Sequence, residues 1–205
     1  ILVRYLIVEG GNMVSARNYQ VQTALARFVQ YFTMYSVARE RAGENGCDFA
    51  LGNPHDMPLP AFGATLQNYA VAQNKDWFAY KLNEAASQQH VAGALQQRVG
   101  LPYAPEDVCM TNGAAGALQI ALTTLIDQGD EVIINLPPWF FYEAYIAACG
   151  GVTVKVNVKP DDFDLDIDAI RGAITPRTRA VIVNSPNNPT GRIYGAETLT
   201  ALAGT

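Results

Sequence analysis

The segment Arg179–Ser185 contains the run Ala180-Val-Ile-Val, apolar at every position and with no polar alternation. A strand that faces water on one side alternates apolar and polar side chains. One that is apolar throughout is buried on both faces, in a sheet covered by helices. The flanking sequence alternates to match. It predicts a short strand at Val108–Thr111, a helix over Ala114–Asp127 and an apolar strand at Glu131–Leu136. A helix over Trp139–Cys149, a β-branched strand at Val152–Val158, a short helix over Leu165–Ile174 and the strand Arg179–Ser185 follow. The fold class is α/β, a mostly parallel sheet flanked by helices.

Upstream the pattern is different. Val21, Leu25, Phe28, Phe32 and Tyr35 recur in steps of three and four, the signature of one face of a long amphipathic helix over Val14 to Arg41. Gly43 and Gly46 end it. Phe49 to Phe62 contains Pro54, Pro58 and Pro60 and reads as an extended segment over a surface or along a cleft, not as regular helix. A second helix is expected from Asn83 to Val99, with Val91, Leu95 and Val99 on one face and Gly100 and Pro102 as its stop. The loop region 43–65 is the candidate boundary. It divides the chain into 1–48, an N-terminal extension and helix, and 49–205, part of a larger domain.

With 205 residues, 49% hydrophobic and 16% charged, the chain is globular in composition, which excludes a disordered or fibrous polymer. A formal net charge of −5 offers no broad electrostatic footprint for nucleic acid or an anionic membrane surface. Cys47, Cys109 and Cys149 are scattered and odd in number, and with His55 and His90 they form no metal-ligand spacing. The expectation is no metal, no disulfide framework and a reducing, cytoplasmic compartment. Ile1–Val8 is too short, and too interrupted by Arg4, to cross a bilayer or serve as a secretion signal. Residues 1–12, before Met13, read as a tag, an upstream extension or a cut edge.

Three stretches sit where the predicted strands end. Thr111-Asn-Gly-Ala-Ala-Gly-Ala-Leu118 opens a helix with small residues, so a ligand can approach the backbone and a phosphate can meet free N–H groups. A tight strand-to-helix turn explains the same residues, and Gly113 and Gly116 do not make the dinucleotide pattern. Leu136-Pro-Pro-Trp-Phe-Phe-Tyr142 offers Trp139 as a flat face for stacking, or as a core aromatic at a helix start. Val183-Asn-Ser-Pro-Asn-Asn-Pro-Thr-Gly191 is a rigid turn in which Pro189 restrains Asn188. A structural turn accounts for the prolines and the glycine, less easily for the asparagines. Open α/β sheets bind ligands beyond the carboxyl ends of their strands, where all three stretches are expected.

Together these stretches resemble the class I/II aminotransferases, pyridoxal-phosphate enzymes of fold type I, from about Phe49 to Gly191. The sharpest element, Asn184-Ser-Pro-Asn-Asn-Pro-Thr-Gly191, is similar to the family's N-x-P-x-N-P-T-G signature. The resemblance implies pyridoxal 5'-phosphate as cofactor and transfer of an amino group between an amino acid and a 2-oxo acid. It implies that Asn188 hydrogen-bonds the cofactor's O3′ oxygen and touches the substrate carboxylate, and that Trp139 stacks on the pyridine ring. Gly113, Ala114 and Ala115 match the phosphate-binding turn, with alanine where the family often has a hydroxyl. Tyr80 matches the tyrosine that reaches the phosphate of the neighbouring subunit, which implies a homodimer with shared sites. Gly52 matches a loop glycine near the substrate carboxylate.

The family's Schiff-base lysine, its pyridinium aspartate and its carboxylate-clamping arginine have no counterpart here. Lys75, Lys81, Lys155 and Lys159 stand in none of the expected contexts. The resemblance therefore implies the amino-terminal half of an enzyme about twice as long, its lysine beyond Thr205, with no transamination by residues 1–205 alone. The same scaffold serves carbon–sulfur lyases, decarboxylases, cyclopropane-forming synthases and non-catalytic sensor domains. His55 and Asp56 are weighed as polar substrate contacts or as a surface turn.

Overall fold

The computed structural model describes residues 14–43, 46–50, 52 and 56–205. The chain divides into two compact units, Val37–Gly113 and a second that joins Ala114–Thr205 to the chain up to Ser36.

The second unit is built on a parallel three-stranded sheet of β1 (Glu131–Leu136), β2 (Val152–Asn157) and β3 (Thr178–Ile182), in the order β2-β1-β3. Glu131 pairs with Val152 and Leu136 with Asn157 on one side, and Ile133 pairs with Val181 on the other. Central β1 is buried along nearly its whole length, and its side chains alternate between two cores. Val132 and Ile134 pack with Leu122 and Ile126 of α4 (Gly113–Leu125) and its end, and with Ile146 of α5 (Tyr142–Ala148). Ile133 faces the opposite way, toward Val156, Leu165, Ile170 of α6 (Ile167–Ala173) and Tyr194. Each fully buried isoleucine or leucine contributes about 1.5–3 kcal/mol to such a core. Gly151 lets β2 approach, because a Cβ there would lie 2.7 Å from Ile126 Cδ1.

The predicted pattern holds with specific differences. The strand predicted at Val108–Thr111 is extended backbone, not a strand, because it finds no ladder partner among the described residues. β3 packs on both faces, Ala180 and Ile182 against one core and Val181 against the other, but these residues are only partly buried, and only β1 pairs with the strand among the described residues. The helix expected from Trp139 starts at Tyr142, after a turn closed by the Tyr142 N–H donating to Trp139 O at 3.1 Å.

A clamp closes the amino end of the sheet. Glu131, 4% exposed, accepts from Thr175 Oγ1 at 2.6 Å and Arg177 Nε at 3.0 Å. The Thr175 hydroxyl and the Arg177 guanidinium hold its carboxyl below the usual glutamate range, against the opposing effect of burial.

α1 (Ala16–Ala42) is the long helix its periodicity predicts. Of its predicted stripe Val21, Leu25, Phe28 and Tyr35 are half-buried, and Phe32 is exposed. In the Val37–Gly113 unit, α2 (Pro60–Ala70) begins inside the Phe49–Phe62 stretch expected to be extended and continues beyond it. Pro60 stands at the first helical turn, where its missing N–H costs no hydrogen bond, so it opens the helix instead of forbidding it. α3 (Ala85–Val99) ends at Gly100, whose φ of +73° makes the left-handed cap that glycine favours. Buried Gln88 donates to Val108 O at 2.6 Å and so ties this helix to the extended segment. The final helix, α7 (Ala196–Ala203), follows the asparagine-rich turn.

Candidate active site

Neighbouring strands β1 and β3 both run into proline-rich turns at their carboxyl ends. The turn after β3 is held by its own side chains. Asn184 Oδ1 accepts the Asn188 N–H at 2.9 Å. The Gly191 N–H donates to Asn187 O at 2.7 Å, and the Asn187 N–H to Arg192 O at 2.8 Å. Gly191 sits at a φ of +73°. Leu136–Pro137, Ser185–Pro186 and Asn188–Pro189 are cis peptide bonds. The backbone of Asn188 is thus pinned while the residue is exposed.

Arg192, at the end of the turn, pairs with Asp162 at 3.4 Å and with Asp164 at 3.5 Å. Burial pushes the Asp164 carboxyl up. Hydrogen bonds from Thr198 and the Leu165 N–H, together with the Arg192 charge, outweigh it and leave the group below its usual range.

Trp139 lies in the turn after β1, half-buried among rings. Phe141 meets the indole edge-on at 5.0 Å and 67°, and Tyr142 at 5.4 Å and 74°. Tyr142 and Tyr145 pack on the same cluster as Leu118 and Leu122 of α4. Burial raises the Tyr142 phenol above its ordinary value. From α1, Phe28 stacks on Phe140 at 4.2 Å and 11°, and lies 5.3 Å from Phe141.

α4 begins at Gly113, whose φ is +74° and whose N–H donates to Thr111 O at 2.8 Å. A Cβ at Gly113 would meet nothing within 4 Å, so the space before the helix is open. Ala114 and Ala115 are exposed. The first-turn N–H groups of a helix have no internal partner and carry its positive dipole end, which is the donor set an anion requires.

Two of the three predicted stretches thus lie beyond true strand ends. The third, Thr111–Leu118, follows extended backbone instead. Tyr80, in the other unit, is fully exposed before α3. Gly52 is exposed, while Leu51 and Asn53–His55, His55 among them, lie outside the described residues. Asp56 is exposed. Lys81 pairs with Glu84 at 3.0 Å and lies over Trp77, and Lys155 pairs with Glu143 at 2.8 Å. Among the described residues no group of metal-ligating side chains comes together, and no helix is long and apolar enough to cross a membrane.

Sequence reasoning did not assign roles to Asn184, Asn187 and Phe28. The first two were signalled by a run of asparagines that a plain turn does not need, and Phe28 only by its place on the apolar stripe.

The sequence profile of the family "Aminotransferase class I and II" matches residues 44–205. The chain is 37% identical over 164 residues to the aspartate/prephenate aminotransferase of Thermus thermophilus, covering 80% of this chain and 42% of that protein. It is 47% identical over 104 residues to the aspartate aminotransferase of Geobacillus stearothermophilus, covering 50% of this chain and 26% of that protein. Among solved structures, an amino transferase from Eubacterium rectale superposes with a TM-score of 0.78 at 27% identity, over 95% of this chain and 50% of that one. Thermus thermophilus aspartate aminotransferase with maleate gives 0.71 at 30% identity, over 94% and 50%. The chain spans about half the length of such relatives or less. The parallel sheet, the paired turns at its carboxyl edge and these matches lead to one assignment: the chain belongs to the class I and II aminotransferases, a pyridoxal-phosphate-dependent family.

Proposed function

We propose that this chain supplies cofactor- and substrate-facing parts of a pyridoxal-phosphate-dependent aminotransferase that moves an amino group between an amino acid and a 2-oxo acid. The observation that carries the reading is the Asn184–Gly191 turn, which fixes the backbone of exposed Asn188 at the end of β3, beside the strand whose end leads to Trp139. The donor set fits the cofactor's chemistry. An amide suits its phenolic oxygen, an indole its ring, and unpaired N–H groups at a helix start its phosphate.

Bound there, the cofactor supplies an electron sink for charge developing at the substrate α-carbon. In this reading the Asn188 amide donates to the phenolic oxygen and favours its ionised form, and it also contacts the substrate carboxylate. Trp139 holds the ring plane. The N–H groups of Ala114 and Ala115 hold the phosphate, with Gly113, whose own N–H is taken by Thr111 O, shaping the turn beside it, and this anchors the far end of the ring. Gly52 leaves room for the substrate carboxylate. Tyr80 reaches the phosphate of a second subunit in a homodimer, a role that its full exposure supports. Residues 49–205 belong to the cofactor-binding domain and 1–48 to an N-terminal extension and helix. The compartment is cytoplasmic. The relatives' names range over aspartate, prephenate, N-succinyldiaminopimelate and arginine with pyruvate, so the proposal stays at the class of amino and 2-oxo acids.

The test is to incubate the intact protein with pyridoxal phosphate and record absorbance, first alone and then with a panel of amino acids. A bound-cofactor band bleached by one amino acid and restored by a 2-oxo acid supports amino-group transfer. Bleaching with loss of carbon dioxide or sulfide would replace it with another reaction.

A further inference from the structure

We propose that Asn187 is a positioning residue that locks the turn bearing Asn188 to the turn bearing Trp139; this rests on the aminotransferase reading above. Asn187 is 8% exposed, whereas Asn188 beside it is open to solvent, so the two adjacent asparagines do different work. The Asn187 amide has two N–H donors and divides them between the two turns. One donates to Thr190 Oγ1 at 3.0 Å, within its own turn, and the other to Pro137 O at 3.4 Å, 50 residues away.

Pro137 lies two residues before Trp139. The same Thr190 hydroxyl oxygen also accepts the Arg192 N–H at 3.2 Å, so Asn187, Thr190 and Arg192 form one connected knot. The backbone of Asn187 closes the turn a second time, through Arg192 O and the Gly191 N–H. Among the described residues no other polar side chain hydrogen-bonds across these two turns. The nearest equivalent, Asn135, bridges β1 to β3 one step back, donating to Ile182 O at 3.4 Å.

A ring plane and a hydrogen-bond donor act together only when their separation is fixed. A shift of about 1 Å between the turns takes the donor out of reach of the oxygen it must meet. An apolar residue at 187 would keep the turn's backbone bonds, yet leave Pro137 O and Thr190 Oγ1 without the donor that joins the two turns. The consequence falls on the neighbours' geometry, not on any contact of Asn187 with a ligand.

The experiment compares the intact wild type with Asn187→Ala by thermal melting, cofactor titration and the pH titration of the bound cofactor's absorbance. The expected result is pyridoxal phosphate bound about tenfold more weakly, with the absorbance midpoint moved to higher pH because the Asn188 donor no longer meets the ionised oxygen. In an Asn188→Ala background the midpoint should no longer respond to Asn187→Ala. A purely structural role would lower the melting temperature and leave the midpoint where it was, which overturns the proposal. Should Asn187→Ala fail to fold, Thr190→Val removes one arm of the knot. It is then expected to move the midpoint in the same direction by less, and an unmoved midpoint overturns the proposal. Wild type that binds no pyridoxal phosphate would sink the underlying reading as well. Wild type that binds it beside an unaffected variant sinks this proposal alone.

Discussion

Phe28 is the point where α1 meets the turn that carries Trp139. Its ring lies flat on Phe140 and close to Phe141. Each aromatic pair contributes about 0.5–1.5 kcal/mol beyond the area it buries. Phe28 is half-buried, so truncation also forfeits part of the roughly 1.5–3 kcal/mol that full burial of such a side chain supplies. Phe28→Ala should therefore destabilise the protein by about 2–3 kcal/mol, and Phe28→Leu, which keeps most of the area but no ring, by about 1 kcal/mol. Urea unfolding of both variants, of Phe140→Ala and of the double variant isolates the pairwise part. The coupling between positions 28 and 140 is expected at about 0.5–1.5 kcal/mol, independent of what either residue does elsewhere. Additive single substitutions, with a coupling below about 0.3 kcal/mol, would refute the stack and with it the anchoring of the turn by α1.

Other outcomes follow from the same geometry. Glu131 and Asp164 both have depressed carboxyl pKa values, so their contribution to stability is fully present above the unfolded range near pH 4 and is lost as pH falls through the lower folded values. Arg177→Met should flatten the acid limb of a stability-against-pH curve, measured by urea midpoints between about pH 6 and 3. Asn184→Ala removes the acceptor of the Asn188 N–H, a bond of about 1 kcal/mol, and should weaken pyridoxal phosphate binding about fivefold in an equilibrium titration. Gly113→Ala meets no steric neighbour, so its whole effect is backbone strain at positive φ, about 1–2 kcal/mol. A melting temperature unchanged from wild type would contradict that φ.

Much of the fold was legible because it is written in local pattern. β1 lies where its apolar run predicts, and α1 follows its three-and-four stripe. Misreadings arose where a residue's meaning depends on context. Pro60 can break a helix or open one, and only its position at the first turn decides. Val108–Thr111 has strand-like residues, yet a strand is a relation between two segments and the sequence of one does not state it. At the site, motif spacing named the residues that would face a ligand, Asn188 and Trp139 above all. It did not reveal what holds them. The Asn187–Pro137 bond joins positions 50 apart, and the Phe28–Phe140 stack joins a helix to a distant turn, so both exist only once the sheet has brought its ends together.

The central claim is that the turn at Asn184–Gly191 and the turn at Trp139 together hold pyridoxal phosphate. Its most direct test is equilibrium binding of the cofactor to the intact protein and to Asn188→Ala and Trp139→Ala, each shown to be folded. The account predicts stoichiometric binding that either substitution weakens by about tenfold or more, as loss of a charge-assisted hydrogen bond or of a stacked ring requires. Binding unchanged by both substitutions, or no binding by wild type, would contradict it.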